Sequence, residues 1–347
     1  MAECSVVALF LQRCFDGLAN GAIYASLAVA LSMVYRGSGV LNLAQGELAM
    51  VGAHVAALLA NPPIPGLFGS GLASWLGAPL PTVAAIALAA IITAPLGVLV
   101  ERFAIRPVDR SDLVQVIGVT LAVFLALNVL ARELWGVRFR IDSPFPAAPD
   151  DRFLIAGARL RWETIGIVAT LLALLALLAL VQRSTKLGLA FRAVSSNPDS
   201  AELSGIRVGR VVSTAWAIAA ALGAVAGGLV GTLIGVSSSM MIRILVLALA
   251  AAVVGGLPRP GAALVAGLAL GIGESLLIGY VEVMSSNLAV VWALGFMVVV
   301  LRLAAFALSA ALAGAGGALL LIQTPFVYGP DFPFQLSIQL FAVVLLV

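Results

Sequence analysis

Long apolar runs, repeated along almost the whole chain, set the strongest constraint on what it can fold into. They are about 17–25 residues long, which is the length at which a helix crosses the hydrocarbon core of a bilayer. Hydrophobic residues make up 62% of the 347 residues and charged residues 10%, whereas soluble domains have roughly 45–50% and about 25%. The runs lack the apolar–polar alternation that a transmembrane barrel requires. The sequence therefore predicts an all-α integral membrane protein.

The runs predict a polytopic helical bundle of about 8–10 membrane segments. The expected segments cover residues 15–35, 43–60, 82–100, 113–131, 164–181, 211–234, 244–254, 262–278, 288–301, 303–322 and 336–347. Four glycines lie close together in the segment 211–234, namely Gly223, Gly227, Gly228 and Gly231. Small residues allow close helix packing in lipid, and a face that slides during gating is the alternative interpretation.

A polar stretch, residues 183–210, interrupts the apolar pattern with the sequence RSTKLGLAFRAVSSNPDSAELSGIRVGR. It contains the marks of a short helix: Ser or Asn can cap a helix start, Pro198 suits its first turn, and Gly205 can end it. Basic residues of this stretch and of the turn after residue 100 predict that both face the cytoplasm; they are Arg102, Arg106, Arg110, Arg183, Lys186, Arg192, Arg207 and Arg210. We expect the stretch to meet a partner at the membrane surface.

Several polar residues lie within or at the edge of apolar segments. Asn42, Gln45 and Glu47 stand beside glycines at the start of the segment 43–60. Unpaired polar groups are costly in hydrocarbon, so such residues either cap a helix or face a substrate cavity. Glu274, after Gly271 and Gly273, is a further carboxylate that we expect to be buried, and a structural hydrogen bond is the favoured role over a cavity. His54, the single histidine, is interpreted as packed and hydrogen-bonded rather than as a ligand.

The sequence contains no catalytic constellation, no metal-binding cluster and no phosphate-binding loop that ends in Gly-Lys-Ser/Thr. We therefore expect no catalytic residue, no metal and no cofactor, and any ATP must be bound by another chain. The net charge of +3 gives no indication of nucleic-acid binding. Cys4 and Cys14 are interpreted as two free thiols, with a disulfide as the alternative.

Four stretches resemble the permeases of branched-chain amino acid ABC importers of the LivH type. They are GVLNLAQGELAMVGA (39–53), ERFAIRPV (101–108), FRAV with NPDSAELSGI (191–194 and 197–206), and AAVVGGLPRPGAALVAGLALGIGES (251–275). The stretches occur in the family's order through about the first 300 residues, and their combination is more specific than any one of them.

The resemblance implies a pore subunit that works by alternating access in the cell inner membrane. Its expected partners are a related permease of the LivM type, two cytoplasmic ATP-binding subunits and a periplasmic or extracellular substrate-binding protein. The implied coupling residues in the cytoplasmic loop 183–210 are Arg192, Ala193, Asn197, Pro198, Glu202 and Gly205. The candidate substrate pathway comprises Asn42, Gln45, Glu47 and Glu274.

Other functions remain open. Permeases for urea or short amides share these motifs, so the substrate class has an alternative within the family. A secondary transporter or channel that works without an ATPase is a second alternative, although it would be expected to carry more paired charges deep in its helices. A membrane enzyme is disfavoured because no catalytic constellation is present.

The end of the chain departs from the LivH pattern. Residues 1–302 are expected to form the permease domain, whereas 303–347 resemble the middle of a LivM-type permease and echo the segment 211–234. A truncated or chimaeric reading frame is the favoured explanation, with an assembly artefact or a natural variant as the alternatives.

Overall fold

A computed structural model describes residues 2–62, 69, 78–108, 112–136, 139–146, 152–155 and 157–280. The segments expected at 288–301, 303–322 and 336–347 lie outside these residues. The helices are α1 (Ala2–Ser38), α2 (Gln45–Ala60), α3 (Thr82–Val100), α4 (Leu113–Trp135), α5 (Trp162–Ser184), α6 (Lys186–Ser196), α7 (Pro198–Leu203), α8 (Val208–Ile234), α9 (Ile242–Val254) and α10 (Pro260–Tyr280). A π-helical turn, Glu101–Ile105, extends α3, and strands β1 (Arg152–Ile155) and β2 (Ala158–Arg161) pair antiparallel.

The predicted all-α polytopic fold is confirmed. In the described part of the chain, six helices are long and apolar enough to cross a membrane, and α2 and α9 are shorter apolar helices. The small β1–β2 hairpin lies in the polar segment between α4 and α5 and was not predicted. The helix α1 begins well before the expected residue 15, because a helix continues through polar positions that end an apolar run.

The pair α1–α10 is held together by glycines that bring the two backbones into contact. A Cβ atom added at Gly271 would lie 2.2 Å from the Gly21 backbone nitrogen, and one at Gly267 would lie 2.5 Å from the Ala25 Cα. In lipid, where apolar surface gives little driving force between helices, such close approach supplies the packing energy. Within α1, 89% of an apolar stretch of 18 residues is buried inside the bundle.

The helix α8 forms a second packing centre, against α2 and α3. A Cβ at Gly227 would meet the Ala49 carbonyl oxygen at 2.3 Å, and one at Gly97 would meet the Trp216 carbonyl oxygen at 2.5 Å. The predicted close helix packing in 211–234 is therefore confirmed for Gly223, Gly227 and Gly228, while a Cβ at Gly231 would meet Val236 of the following segment.

Both short helices begin inside the bundle rather than at its end. At the start of α2, the Gln45 side-chain amide donates to the carbonyl of Ala219, close to the middle of α8, at 2.8 Å. The start of α9 is adjacent, since a Cβ at Gly46 would lie 3.0 Å from the Leu245 Cβ. The segments before α2 and α9 therefore carry non-helical backbone into the bundle, which in a membrane is tolerated only where protein or a water-filled cavity surrounds it.

Candidate functional site

The polar loop folds into two consecutive short helices, α6 and α7, which we call the α6–α7 unit (Lys186–Leu203). The Thr185 hydroxyl caps α6 by accepting from the Gly188 N–H at 3.3 Å. The Asn197 side chain caps α7 by accepting from the Ser200 N–H at 3.0 Å, and Pro198 occupies the first turn. Past the end of α7, Gly205 adopts a φ of +81°, which suits glycine. The sequence predicted α7 but missed α6.

The α6–α7 unit is anchored to the membrane bundle along its inner face. Phe191, Val194 and Ala201 are buried in a cluster with Met33 of α1 and with Val211 and Ala215 of α8. This packing joins the unit to two long helices, so a displacement of the unit would be passed to both.

The outer face of the unit is exposed and carries a large apolar residue that was not predicted to be a coupling residue. The Leu203 side chain is 91% exposed, and Glu202 beside it is also exposed.

The expected coupling residues have different environments. The Arg192 guanidinium lies against α5, where its Nη1 donates to the Gln182 carbonyl at 2.6 Å. Ala193 is half-buried. Of the six expected coupling residues, Asn197, Pro198 and Gly205 thus shape the unit, while Glu202 is on its open surface. The missed signal was a large apolar residue within a polar helix.

The turn after α3 lies beside the start of α8. The Arg106 guanidinium donates to both carboxylate oxygens of Glu101, at 3.1 and 2.9 Å. It also reaches the Gly209 carbonyl at 3.2 Å and the Ser213 hydroxyl at 2.9 Å. The two arginine-bearing segments are therefore at one end of the bundle, as their charge predicted. Arg110 lies outside the described residues.

Asn42 and Gln45 form a closed polar set at the entrance to α2, and both are fully buried. The Asn42 amide donates to the Gln45 carbonyl oxygen at 3.1 Å, and its own side-chain oxygen accepts from the Ala44 N–H at 3.1 Å. Together with the Gln45–Ala219 bond, these contacts fix the turn that precedes α2.

Glu47 belongs to a second polar set that extends from the interior to the exposed face of α4. Its carboxylate accepts from the Asn128 amide at 3.3–3.4 Å, and the same amide donates to the Ser238 carbonyl at 2.9 Å. The exposed Arg132 donates to the Asn128 side-chain oxygen at 3.1 Å. We call Glu47, Asn128 and Arg132 the α2–α4 polar set. Asn128 and Arg132 were not predicted as site residues, because Asn128 meets Glu47 across 81 residues of sequence and Arg132 joins the set only through Asn128.

The Glu274 carboxylate is paired with side chains of two other helices. The Tyr24 hydroxyl donates to one carboxylate oxygen at 2.7 Å, and the Arg243 guanidinium pairs with the other. The three residues link α1, α9 and α10. Glu274 and Tyr24 are each 5% exposed.

His54 is packed and hydrogen-bonded, as expected. Its ring stacks on Trp135 at a centroid distance of 4.8 Å, and its Nδ1 lies 2.9 Å from the Met50 carbonyl oxygen. No group of three His, Cys, Asp or Glu side chains within the described ranges could hold a metal ion. Cys14 is a free thiol, and the side chain of Cys4 lies outside the described ones.

Comparison with known proteins supplies the decisive observation. Residues 13–301 match the family described as "Branched-chain amino acid transport system / permease component". The chain belongs to this family. It is thus a multi-pass membrane permease, the pore subunit of an ABC transport system, and not an enzyme.

Three relatives illustrate the match. The high-affinity branched-chain amino acid transport system permease protein LivH of Salmonella typhimurium is 31% identical over 79% of this chain and 87% of its own length. BraD of Pseudomonas aeruginosa, with the same description, is 30% identical over 77% and 85%. A probable branched-chain amino acid transport permease protein LivH of Methanocaldococcus jannaschii is 29% identical over 73% and 76%. Among solved structures, PsaBC from Streptococcus pneumoniae in complex with Fab has a TM-score of 0.44 at 14% identity, covering 85% of this chain and 92% of that one.

Proposed function

We propose that this permease imports branched-chain amino acids across the cell inner membrane. It pairs with a related permease of the LivM type, two cytoplasmic ATP-binding subunits drive it, and a periplasmic or extracellular binding protein delivers the substrate. The observation that carries the proposal is the match to relatives named for this transport over more than three quarters of the chain.

The α6–α7 unit is the proposed contact with an ATP-binding subunit. Its inner face packs on α1 and α8, and its outer face presents Glu202 and the exposed Leu203. Covering the Leu203 side chain with a partner would be favourable, because it removes apolar surface from water. The Asn197 cap and the turn at Gly205 keep the unit rigid. A movement of the ATP-binding subunit would therefore be transmitted to the bundle.

The exposed face of α4 is the proposed wall of the substrate pathway. It carries Leu125, Val129 and Leu130, each about half exposed, and these suit aliphatic amino acid side chains. The α2–α4 polar set connects this face to the buried Glu47 and supplies polar groups for the amino acid backbone. In this proposal Asn42 and Gln45 shape the turn before α2, and Glu274 links α1, α9 and α10.

Uptake by the assembled transporter tests the proposal. The permease, its partner permease, the ATP-binding subunits and the binding protein are reconstituted in liposomes, and uptake of radiolabelled leucine is measured with and without ATP inside. We expect ATP-dependent uptake that unlabelled isoleucine and valine inhibit and urea does not. Uptake of urea without leucine would favour the short-amide alternative, and leucine uptake independent of ATP would favour a secondary transporter.

A further inference from the structure

A cleft between α5 and α10 opens at the arginine-rich end of the bundle. Its volume is about 320 Å³. Val29, Leu175 and Leu264 form its apolar wall, and Arg36, Arg183 and Arg192 also line it. Val29 precedes Arg36 on α1 by seven residues, which corresponds to about 10 Å along a helix. The cleft is therefore amphipathic, with a basic mouth and an apolar interior.

The charge of the mouth is uncompensated within the cleft. None of the residues that line it is Asp or Glu. Arg192 is held by the Gln182 carbonyl, and the Arg36 Nε lies 3.4 Å from the Ser195 hydroxyl. The Arg183 side chain is exposed and has no hydrogen bond or ion pair with any described residue. The first residues of α10, Pro260 and Gly261, also line the cleft, and the start of a helix favours negative charge.

The helices on either side of the cleft carry exposed apolar side chains. Leu177 and Leu180 of α5 are 56% and 60% exposed, and Val265 of α10 is 63% exposed. Because both helices are membrane spans, a molecule that enters between them can come from the bilayer.

We propose that this cleft binds an anionic phospholipid, with the phosphate at Arg183, Arg36 and Arg192 and one acyl chain against Leu175 and Leu264. A charged headgroup joined to an apolar chain matches both parts of the cleft, whereas a small soluble anion would occupy only its mouth. Basic pockets between membrane helices are known to bind lipid headgroups. The lipid would fill the gap beside the α6–α7 unit and support its attachment to α5.

Lipid retention by the purified full chain tests this proposal. The protein is equilibrated in mixed micelles with equal amounts of phosphatidylglycerol and phosphatidylcholine, and the lipids that remain bound are counted by native mass spectrometry. We expect phosphatidylglycerol to be preferred. Arg183→Gln should lower its retention about fivefold, the equivalent of about 1 kcal/mol for one arginine. Leu264→Trp should lower it by filling the apolar part, and Arg183→Lys should restore most of it.

Arg102→Gln is the matched control, because Arg102 is an exposed arginine at the same end and does not line the cleft. It should leave retention unchanged. Equal retention of the two lipids, or an equal loss in Arg102→Gln, would overturn the proposal. So would displacement of the lipid by millimolar inorganic phosphate, which would indicate a small-anion site. Cross-linking of the Arg183→Cys variant through this position to another subunit in the assembled transporter would indicate that a protein covers the cleft instead.

Discussion

Removal of the Glu274 carboxylate should destabilise the chain by disconnecting α1, α9 and α10. In Glu274→Ala the Tyr24 hydroxyl loses its acceptor while it remains 5% exposed. An unsatisfied buried polar group costs about 1–3 kcal/mol. The same change leaves Arg243 without its carboxylate partner.

Loss of the ion pair between Arg243 and Glu274 should cost a free energy between that of a buried pair and that of an exposed pair. Breaking a buried pair costs about 3–5 kcal/mol, and an exposed pair is worth about 0–1 kcal/mol. The side chain of Arg243 is 44% exposed and that of Glu274 only 3%, so the loss of this half-buried pair should cost an amount between these limits. We therefore expect the free energy of unfolding to fall by about 3 kcal/mol in Glu274→Ala.

Two companion variants separate the contributions. Tyr24→Phe removes only an interhelical hydrogen bond and should cost about 1 kcal/mol. Glu274→Gln keeps an acceptor for Tyr24 but removes the charge, so its cost should fall between those of Tyr24→Phe and Glu274→Ala. In the double variant Tyr24→Phe/Glu274→Ala the two losses should not add, because both act through one contact.

The measurement is the unfolding of the purified chain by dodecyl sulfate in mixed micelles, followed by tryptophan fluorescence. Trp216 is fully buried and will report the loss of packing. Glu202→Ala, which removes an exposed carboxylate, serves as the control and should leave the midpoint unchanged. A loss below about 0.5 kcal/mol in Glu274→Ala, or strict additivity in the double variant, would refute the reasoning.

Two further predictions concern the coupling surface and the helix contacts. Leu203→Asp should abolish co-purification of an ATP-binding subunit while the chain stays in the membrane, whereas Leu203→Met should retain it; retention in both would contradict the docking proposal. Gly271→Ala should lower the free energy of unfolding by about 1–3 kcal/mol, because the added Cβ meets the Gly21 backbone. The matched Gly273→Ala, where nothing lies within 4 Å, should be neutral or slightly stabilising, and equal effects would be evidence against the glycine contact.

The sequence predicted those features of the fold that depend on neighbouring residues. The short helix α7 followed from Asn197, Pro198 and Gly205, because capping and turn geometry depend on residues within one or two turns. The six helices of the described part that are long and apolar enough to cross a membrane followed from the apolar runs, because length and hydropathy are local properties of the sequence.

Contacts between distant residues were not predictable from one sequence. Glu274 was expected to make a structural hydrogen bond, but its partner Tyr24 is 250 residues away. Asn128 looked like an ordinary polar residue in an apolar helix, and only the fold brings it to Glu47. The helix α6 was not predicted, because the polar residues around it are typical of a loop. Its Phe191 and Val194 are buried only because the fold packs them on α1 and α8.

The contact between α1 and α10 has a consequence for biosynthesis. At about 5–20 residues per second, the ribosome needs roughly 12–50 s to progress from Tyr24 to Glu274. After α1 leaves the ribosome, its glycine face and the Tyr24 hydroxyl lack their final neighbour until α10 has been made. The native neighbour of α1 is therefore made late in synthesis. Until then, the glycine face of α1 must be covered by lipid, by the insertion machinery or by temporary contacts with other helices.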